Sequence, residues 1–221
     1  MVRILGISAS PRRANTEILV KESLDAAAGM PFDVETEFVS FVGKKIEPCT
    51  DCAACVRNKD YCWKKDDWLE LVSPLLDTPP DGLIIGAPVY FYSVNSMLRA
   101  FFERCTCLFK QLWHEDFPHT PPDWTKTAAG ALAVGFHRHG GVENALTNIL
   151  QVMLSNGFVC VGGDYIGGAA WQMEIDSREA VKEDEIGLTA ARQVGKRVAY
   201  TAHLLQEGRK TAEDIALLKI G

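Results

Sequence analysis

The chain has 221 residues, 47% of them hydrophobic and 24% charged, with a formal net charge of −6. That is enough to bury one core but short for two, so a single domain over residues 1–221 is expected. The acidic balance and the lack of a basic run argue against nucleic acid, and the scattered Lys and Arg form no membrane-surface helix.

No apolar run reaches the length of a membrane span. The chain opens on a strand pattern rather than on a basic stretch followed by an apolar one, which predicts a cytoplasmic protein with no membrane partner. Val2-Arg-Ile-Leu-Gly-Ile7 is short and rich in β-branched residues, the pattern of a buried strand. Helical spacing of Ile18, Leu19, Ser23, Leu24 and Ala27 follows, with Asn15 as the expected N-cap and Glu17 in the first turn.

Between them lies Ser8-Ala-Ser-Pro-Arg-Arg-Ala-Asn-Thr16, a strand-to-helix loop of small donors and a fixed cation around free helix amides. Such a loop suits a phosphate. It has neither the G-x-G-x-x-G of dinucleotide sites nor the G-K-[ST] of a P-loop, so a terminal phosphomonoester fits it better. The competing reading is an ordinary turn on an α/β protein.

Phe32–Phe41 alternates as an edge strand should. Residues 42–65 form a long polar, cysteine-rich loop, and a loop of that length in a compact domain is usually functional. A helix restarts at Asp66-Asp67, with Asp67 as N-cap and Glu70 in capping-box position, and is expected to run to about Asp77. Leu83–Ala87 reads as a central parallel strand. The loop Pro88-Val-Tyr-Phe-Tyr-Ser-Val-Asn95 then leads into a helix over Ser96–Phe109.

Residues 110–126, dense in proline and aromatics, predict an extended excursion: a lid, a subunit contact or an inert insertion. Thr127–Gly135 is a fourth strand, Phe136-His-Arg-His-Gly-Gly141 a third loop and Val142–Asn156 a helix. Phe158–Val161 is a fifth strand and Glu183–Gln206 a closing helix. Five strands alternating with five helices predict an α/β doubly wound five-stranded parallel sheet, and a phosphate on the first loop favours the strand order 2-1-3-4-5.

Cys49, Cys52, Cys55 and Cys62 have the spacing C-x2-C-x2-C-x6-C. Two consecutive x2 gaps let three thiolates converge on one small object, at the spacings of bacterial ferredoxin loops, and a fourth, slightly remote, closes a four-cysteine site. Zinc competes, although it usually takes two separated C-x2-C knuckles. Cysteines with no metal, as free thiols or as disulfides, are the remaining reading. Cys105, Cys107 and Cys160 fall in helix or strand positions and are expected in the core. His137 and His139 read as a solvated pair rather than a metal site, and Glu103-Arg104 as an ion pair.

In these loops the chain resembles the NADPH-dependent FMN reductase group of the flavodoxin-like superfamily, and within it the iron–sulfur flavoproteins. The likeness rests on the S-x-S-P-R loop, the cysteine run before Asp66-Asp67, Pro88-Val-Tyr90 and the glycine-rich third loop. The resemblance implies that Ser8, Ser10, Arg12, Asn15 and Thr16 hold the FMN phosphate. It implies further that Pro88, Val89, Tyr90, Phe91 and Tyr92 line the isoalloxazine, with Gly135, Phe136, Gly140 and Gly141 closing the other side.

The same resemblance implies a [4Fe–4S] cluster on the four clustered cysteines, NAD(P)H or a ferredoxin-like protein as electron donor, a small-molecule or protein acceptor, and a homodimer or homotetramer. Trp113, Phe117 and Trp124 on the excursion are the expected subunit contact, since exposed aromatics are otherwise costly. Flavin and cluster together make a converter between two-electron and one-electron transfer, with orientation and electrostatics left to the protein. A non-enzymatic electron carrier and a thiol or metal redox sensor are the alternatives.

Overall fold

The computed structural model describes residues 1–210 apart from Asp77, 112–116, 121, 138, 164–165 and 172–175. Among these residues, seven strands and seven α-helices follow one another: β1 (Val2–Ser8), α1 (Asn15–Ala28), β2 (Val34–Ser40), α2 (Ala54–Asn58), α3 (Trp68–Val72), β3 (Gly82–Tyr90), β4 (Ser93–Val94), α4 (Ser96–Arg104), α5 (Thr106–Gln111), β5 (Ala128–Gly135), α6 (Val142–Ser155), β6 (Val159–Cys160), β7 (Gly168–Trp171) and α7 (Glu185–Arg209).

The parallel sheet runs β2-β1-β3-β5-β6, with β7 also on β5, which is the expected order 2-1-3-4-5. Its fifth lane is split. β6 pairs with Ala128 and Ala129 at the start of β5, and β7 pairs with Leu132–Gly135 at its end. The apolar run Phe158–Val161 thus supplied half of that lane, and the Gly- and Ala-rich β7 gave no strand signal of its own.

Alternate strand residues feed two faces, because successive side chains point to opposite sides of a sheet. Leu5, Ile7, Leu83 and Ile85 join α3, α4, α5 and α6 in one core. Ile4, Ile84 and Leu132 join α1 and α7 in the other. The first, second and third loops leave the C-terminal ends of β1, β3 and β5, the edge where ligand loops of such sheets lie.

Several local expectations change. Asn15 does not cap α1, whose cap position is Ala14 with no side-chain cap. Its amide instead donates to the Ser177 carbonyl at 3.0 Å and accepts from Val181 N at 3.0 Å, so a distant segment has taken the capping group. Asp67 and Glu70 form no capping box: Asp67 accepts from Lys45 N, and Glu70 pairs with Lys44. The helix after Asp67 ends at Val72 and continues as a 3-10 turn over Ser73–Leu75; Asp77 lies outside the described residues. The helix expected over Ser96–Phe109 breaks at Cys105 into α4 and α5.

Trp124 is buried, not a subunit contact. Its indole donates to the Leu75 carbonyl at 3.0 Å and its ring stacks on Phe158 at 5.1 Å, so this apolar excursion residue is satisfied within its own chain. Phe117 is half-buried. Trp113 lies outside the described residues.

Candidate functional site

The first loop is built as its sequence suggests, but its donors divide into two groups. Ser8 is fully buried and its Oγ has no hydrogen-bond partner among the described residues. Ser10 folds back on the loop, its hydroxyl donating to the Arg12 carbonyl at 2.9 Å and accepting from Arg12 N at 3.1 Å. Thr16 is buried in the first turn of α1 and Arg12 is exposed. Asn15, committed to residues 177 and 181, shapes the loop from behind.

One residue of this region escaped sequence reasoning. Asn95, buried ahead of α4, donates to the Ala9 carbonyl at 2.8 Å, and its Oδ1 is a second buried atom with no partner among the described residues. Two orphaned polar atoms beside an uncapped helix start are costly unless a ligand completes them. A ligand carrying phosphate and hydroxyl groups has the chemistry to complete them.

The second loop is a tight hairpin. β4 pairs antiparallel with the end of β3, and Phe91 and Tyr92 make the turn at φ 48° and 67°. Two non-glycine residues in left-handed conformation are held there by α6: Asn144 donates to the Tyr92 carbonyl at 2.7 Å, and Ser93 donates to Asn148 at 3.1 Å. Gly141, at φ 97°, lies so close that a Cβ would sit 2.5 Å from Tyr92 Cα. The third loop therefore abuts the second, and Gly140 N closes its turn on the His137 carbonyl.

Pro88 and Gly135 are buried at the ends of β3 and β5, while Val89 is partly buried. The rings of Tyr90, Phe91, Tyr92 and Phe136 stand exposed, Phe91 at 99%. His137 and His139 are exposed, and residue 138 is outside the described residues.

Cys49, Cys52, Cys55 and Cys62 line one pocket with Trp63, Lys64, Arg104, Cys107 and Lys110. Asp51 and Ala53 adopt left-handed conformations on either side of Cys52. N–H groups reach the sulfurs: Asp51 N to Cys49 at 3.4 Å and the Trp63 indole to Cys52 at 3.3 Å. Hydrogen bonds from Ala54 N and then Trp63 hold the Cys52 thiol below its ordinary pKa, whereas burial raises that of Cys55. Among the described residues, no group of three or more His, Cys, Asp or Glu is closed to metal-binding geometry.

The donor set, thiols gathered in one pocket with amide and indole N–H groups on their sulfurs, still fits an iron–sulfur cluster, whose sulfurs accept such bonds. Cys105 is in the core as expected, and Cys160 is partly buried against it. Cys107 is a wall of the cysteine pocket as well as a core residue, and burial pushes its pKa up to about 12.

Arg104 does not pair with Glu103. Its Nη1 donates to Asp66 at 2.7 Å, while Glu103 faces Arg99 one turn back at 3.5 Å. Adjacent residues on a helix point in different directions, so a pairing by sequence neighbourhood fails here.

Residues 2–172 match the sequence pattern of the NADPH-dependent FMN reductase family. The chain belongs to that family. It is therefore a flavoprotein of the NAD(P)H-dependent oxidoreductase class, with FMN as its family's flavin. Among its relatives, an iron-sulfur flavoprotein of Archaeoglobus fulgidus is 38% identical over 201 residues, 89% of this chain and 95% of that one. An iron-sulfur flavoprotein of Methanocaldococcus jannaschii is 32% identical over 212 residues, covering 93% and 100%. In structure, a flavodoxin, WrbA-like protein from Agrobacterium tumefaciens superposes at a TM-score of 0.60 with 14% identity, covering 92% of this chain and 99% of that chain, a likeness of fold. In this FMN reductase family member, then, three loops at one edge of the sheet and a cysteine pocket beside α4 and α5 are the two places built for chemistry. Among the described residues, no helix is long and apolar enough to cross a membrane.

Proposed function

We propose that this FMN reductase family member carries a [4Fe–4S] cluster on Cys49, Cys52, Cys55 and Cys62 beside its FMN, and passes electrons between NAD(P)H or a ferredoxin-like donor and a separate acceptor. The observation that carries the reading is the cysteine pocket: four thiols in one place, with N–H donors on two sulfurs and three cationic side chains in its wall. When bound, FMN supplies hydride acceptance and the cluster one-electron exchange.

The chain's own residues do the rest. Ser8, Thr16 and the start of α1 receive the phosphate, with Arg12 free to close on it from solvent. Asn95 offers its Oδ1 to a ligand hydroxyl while its amide fixes Ala9. Pro88–Tyr92 give a backbone edge for the ring, held in place by Asn144 and Gly141. Asn95 and Arg104 stand nine positions apart at the two ends of α4, about 14 Å of helix, so the first loop and the cysteine pocket lie at opposite ends of one element. A second copy of the chain covers the exposed aromatic turn, making a homodimer or homotetramer.

The test is anaerobic reconstitution of the wild type and of Cys52→Ser, with iron counted per chain and flavin bleaching by NADPH followed by stopped flow. About four irons in the wild type and a loss in the variant are expected, by the four-cysteine precedent for such clusters. Arg12→Ala is expected to weaken FMN binding about ten- to a hundredfold, the loss of one charge-assisted contact. Iron-free wild type with normal bleaching would make the protein a plain flavin reductase; a loaded protein that NADPH does not bleach would make it an electron carrier.

A further inference from the structure

Arg104 ends α4 with its side chain 1% exposed, yet it forms part of the wall of the cysteine pocket. Its guanidinium lies over the Trp68 ring, Cζ 5.2 Å from the centroid, and its Nη1 donates to the Glu47 carbonyl at 3.2 Å as well as to Asp66. It shares that wall with Cys62, close enough for the guanidinium charge to favour the Cys62 thiolate. Asp66 in turn accepts from Glu47 N at 2.8 Å and from Trp68 N at 3.2 Å. Glu47 stands just before the cysteine run and Asp66 just after it, so this one arginine ties together the two strands of chain at the neck of the loop.

A buried ion pair is a poor way to gain stability, since an apolar pair of the same shape serves as well. This pair does something an apolar pair does not. It holds a guanidinium charge at a fixed position in the wall of the cysteine pocket. Lys64 and Lys110 are more exposed, each engaged by the exposed carboxylate of Glu47 or Asp51, and they have mobile stems. Hydrogen bonds to sulfur and nearby positive charge raise the potential of an iron–sulfur cluster, and outer partners of metal ligands commonly govern affinity by ten- to a hundredfold.

We propose that Arg104 is the positioning residue of the cysteine site: it closes the loop's neck through Asp66 and Glu47 and fixes a positive charge in the pocket wall, and so sets both the reduction potential of the cluster and its retention of iron. The inference rests on the cluster reading of the proposed function. The Arg104–Asp66 pair also lies apart from the three flavin loops, so changes to it leave FMN content as a control on folding.

The experiment uses the full chain, reconstituted anaerobically with FMN and iron, in three forms: wild type, Arg104→Lys, and the double variant Arg104→Met/Asp66→Asn, whose single amide oxygen can still accept from one of the two backbone groups, Glu47 N or Trp68 N, that Asp66 now serves. Midpoint potential is read by spectroelectrochemical titration and iron loss by its rate of transfer to a ferrous chelator.

The double variant should hold FMN as the wild type does, titrate at a more negative potential and lose iron at least tenfold faster. Arg104→Lys, which keeps charge without the planar fork, should restore most of the potential but not the retention. Equal potentials and equal iron loss in all three forms overturn the inference while leaving the cluster in place. Should the double variant lose FMN or fail to fold, Arg104→Lys decides alone: faster iron loss than wild type supports the role, and an unchanged rate rejects it. A wild type that binds no iron removes the proposed function and this inference with it.

Discussion

Asp66 is where a single side chain bears most directly on stability. Burial works against its carboxylate, but hydrogen bonds from Arg104, Glu47 N and Trp68 N outweigh burial and hold its pKa below the ordinary value. A carboxyl with a lower pKa in the folded chain contributes stability that is present above its unfolded pKa, about 4, and is lost as pH falls through the folded value. Replacing it leaves Arg104 buried and unpaired, so Asp66→Asn should cost about 3–5 kcal/mol near neutral pH. Urea unfolding from pH 7 to pH 2 checks both statements: the wild type should weaken below about pH 4, and the variant, already weaker, should change less across that window. Residue-level reading of the sequence succeeded for Cys105, whose place on an apolar helix face is a local property and which lies in the core as expected. It failed for Asn15 and Arg104, because their partners at Ser177, Val181 and Asp66 come from distant parts of the chain and leave no periodicity to read.

At the scale of elements, the strands were legible wherever both faces are buried, since a continuous apolar run such as Leu83–Ala87 has few other uses. β7 was not, because a Gly-Ala-Ala-Trp segment owes its strand state to the open edge of β5 rather than to its own propensity. The α4–α5 break was hidden for a similar reason: Cys105 and its neighbours are all acceptable in a helix. Helix packing gives the sharpest prediction at this scale. α1 and α7 approach so closely at Gly195 that a Cβ would lie 1.9 Å from the Ser23 carbonyl oxygen, which is backbone and cannot swing aside. By intrinsic helix propensity alone Gly→Ala should stabilise by up to about 1 kcal/mol. Here overpacking should win, with Gly195→Ala losing about 1–3 kcal/mol, or about 2–4 °C of Tm for each kcal/mol in a chain of this size. Gly208→Ala, in the last turn of the same helix with nothing within 4 Å of the added Cβ, should leave Tm unchanged or slightly raised, and a pair of calorimetric scans separates the two.

For the molecule as a whole, the sheet order and the loops at its edge follow from the alternation of apolar runs and loops. What lies outside the protomer does not. The excursion expected to meet a second copy buries Trp124 in its own core, while the β3–β4 hairpin leaves Tyr90, Phe91 and Tyr92 in solvent and the third loop leaves Phe136 there. Aromatics gathered on a strained turn are an expensive surface, and a second chain laid across them would remove that apolar area from water while walling the flavin edge. Phe91 is the residue to change, because it is almost fully exposed and has few contacts of its own to lose. Asn tolerates its left-handed conformation, so Phe91→Asn should leave the protomer as stable as before and remove the contact. Light scattering on the FMN-bound protein should give a dimer or tetramer for the wild type and a monomer, or a dissociation constant raised at least about tenfold, for the variant. A wild type that is monomeric at working concentration with FMN tightly bound would assign the aromatic turn to the flavin and its electron partners alone.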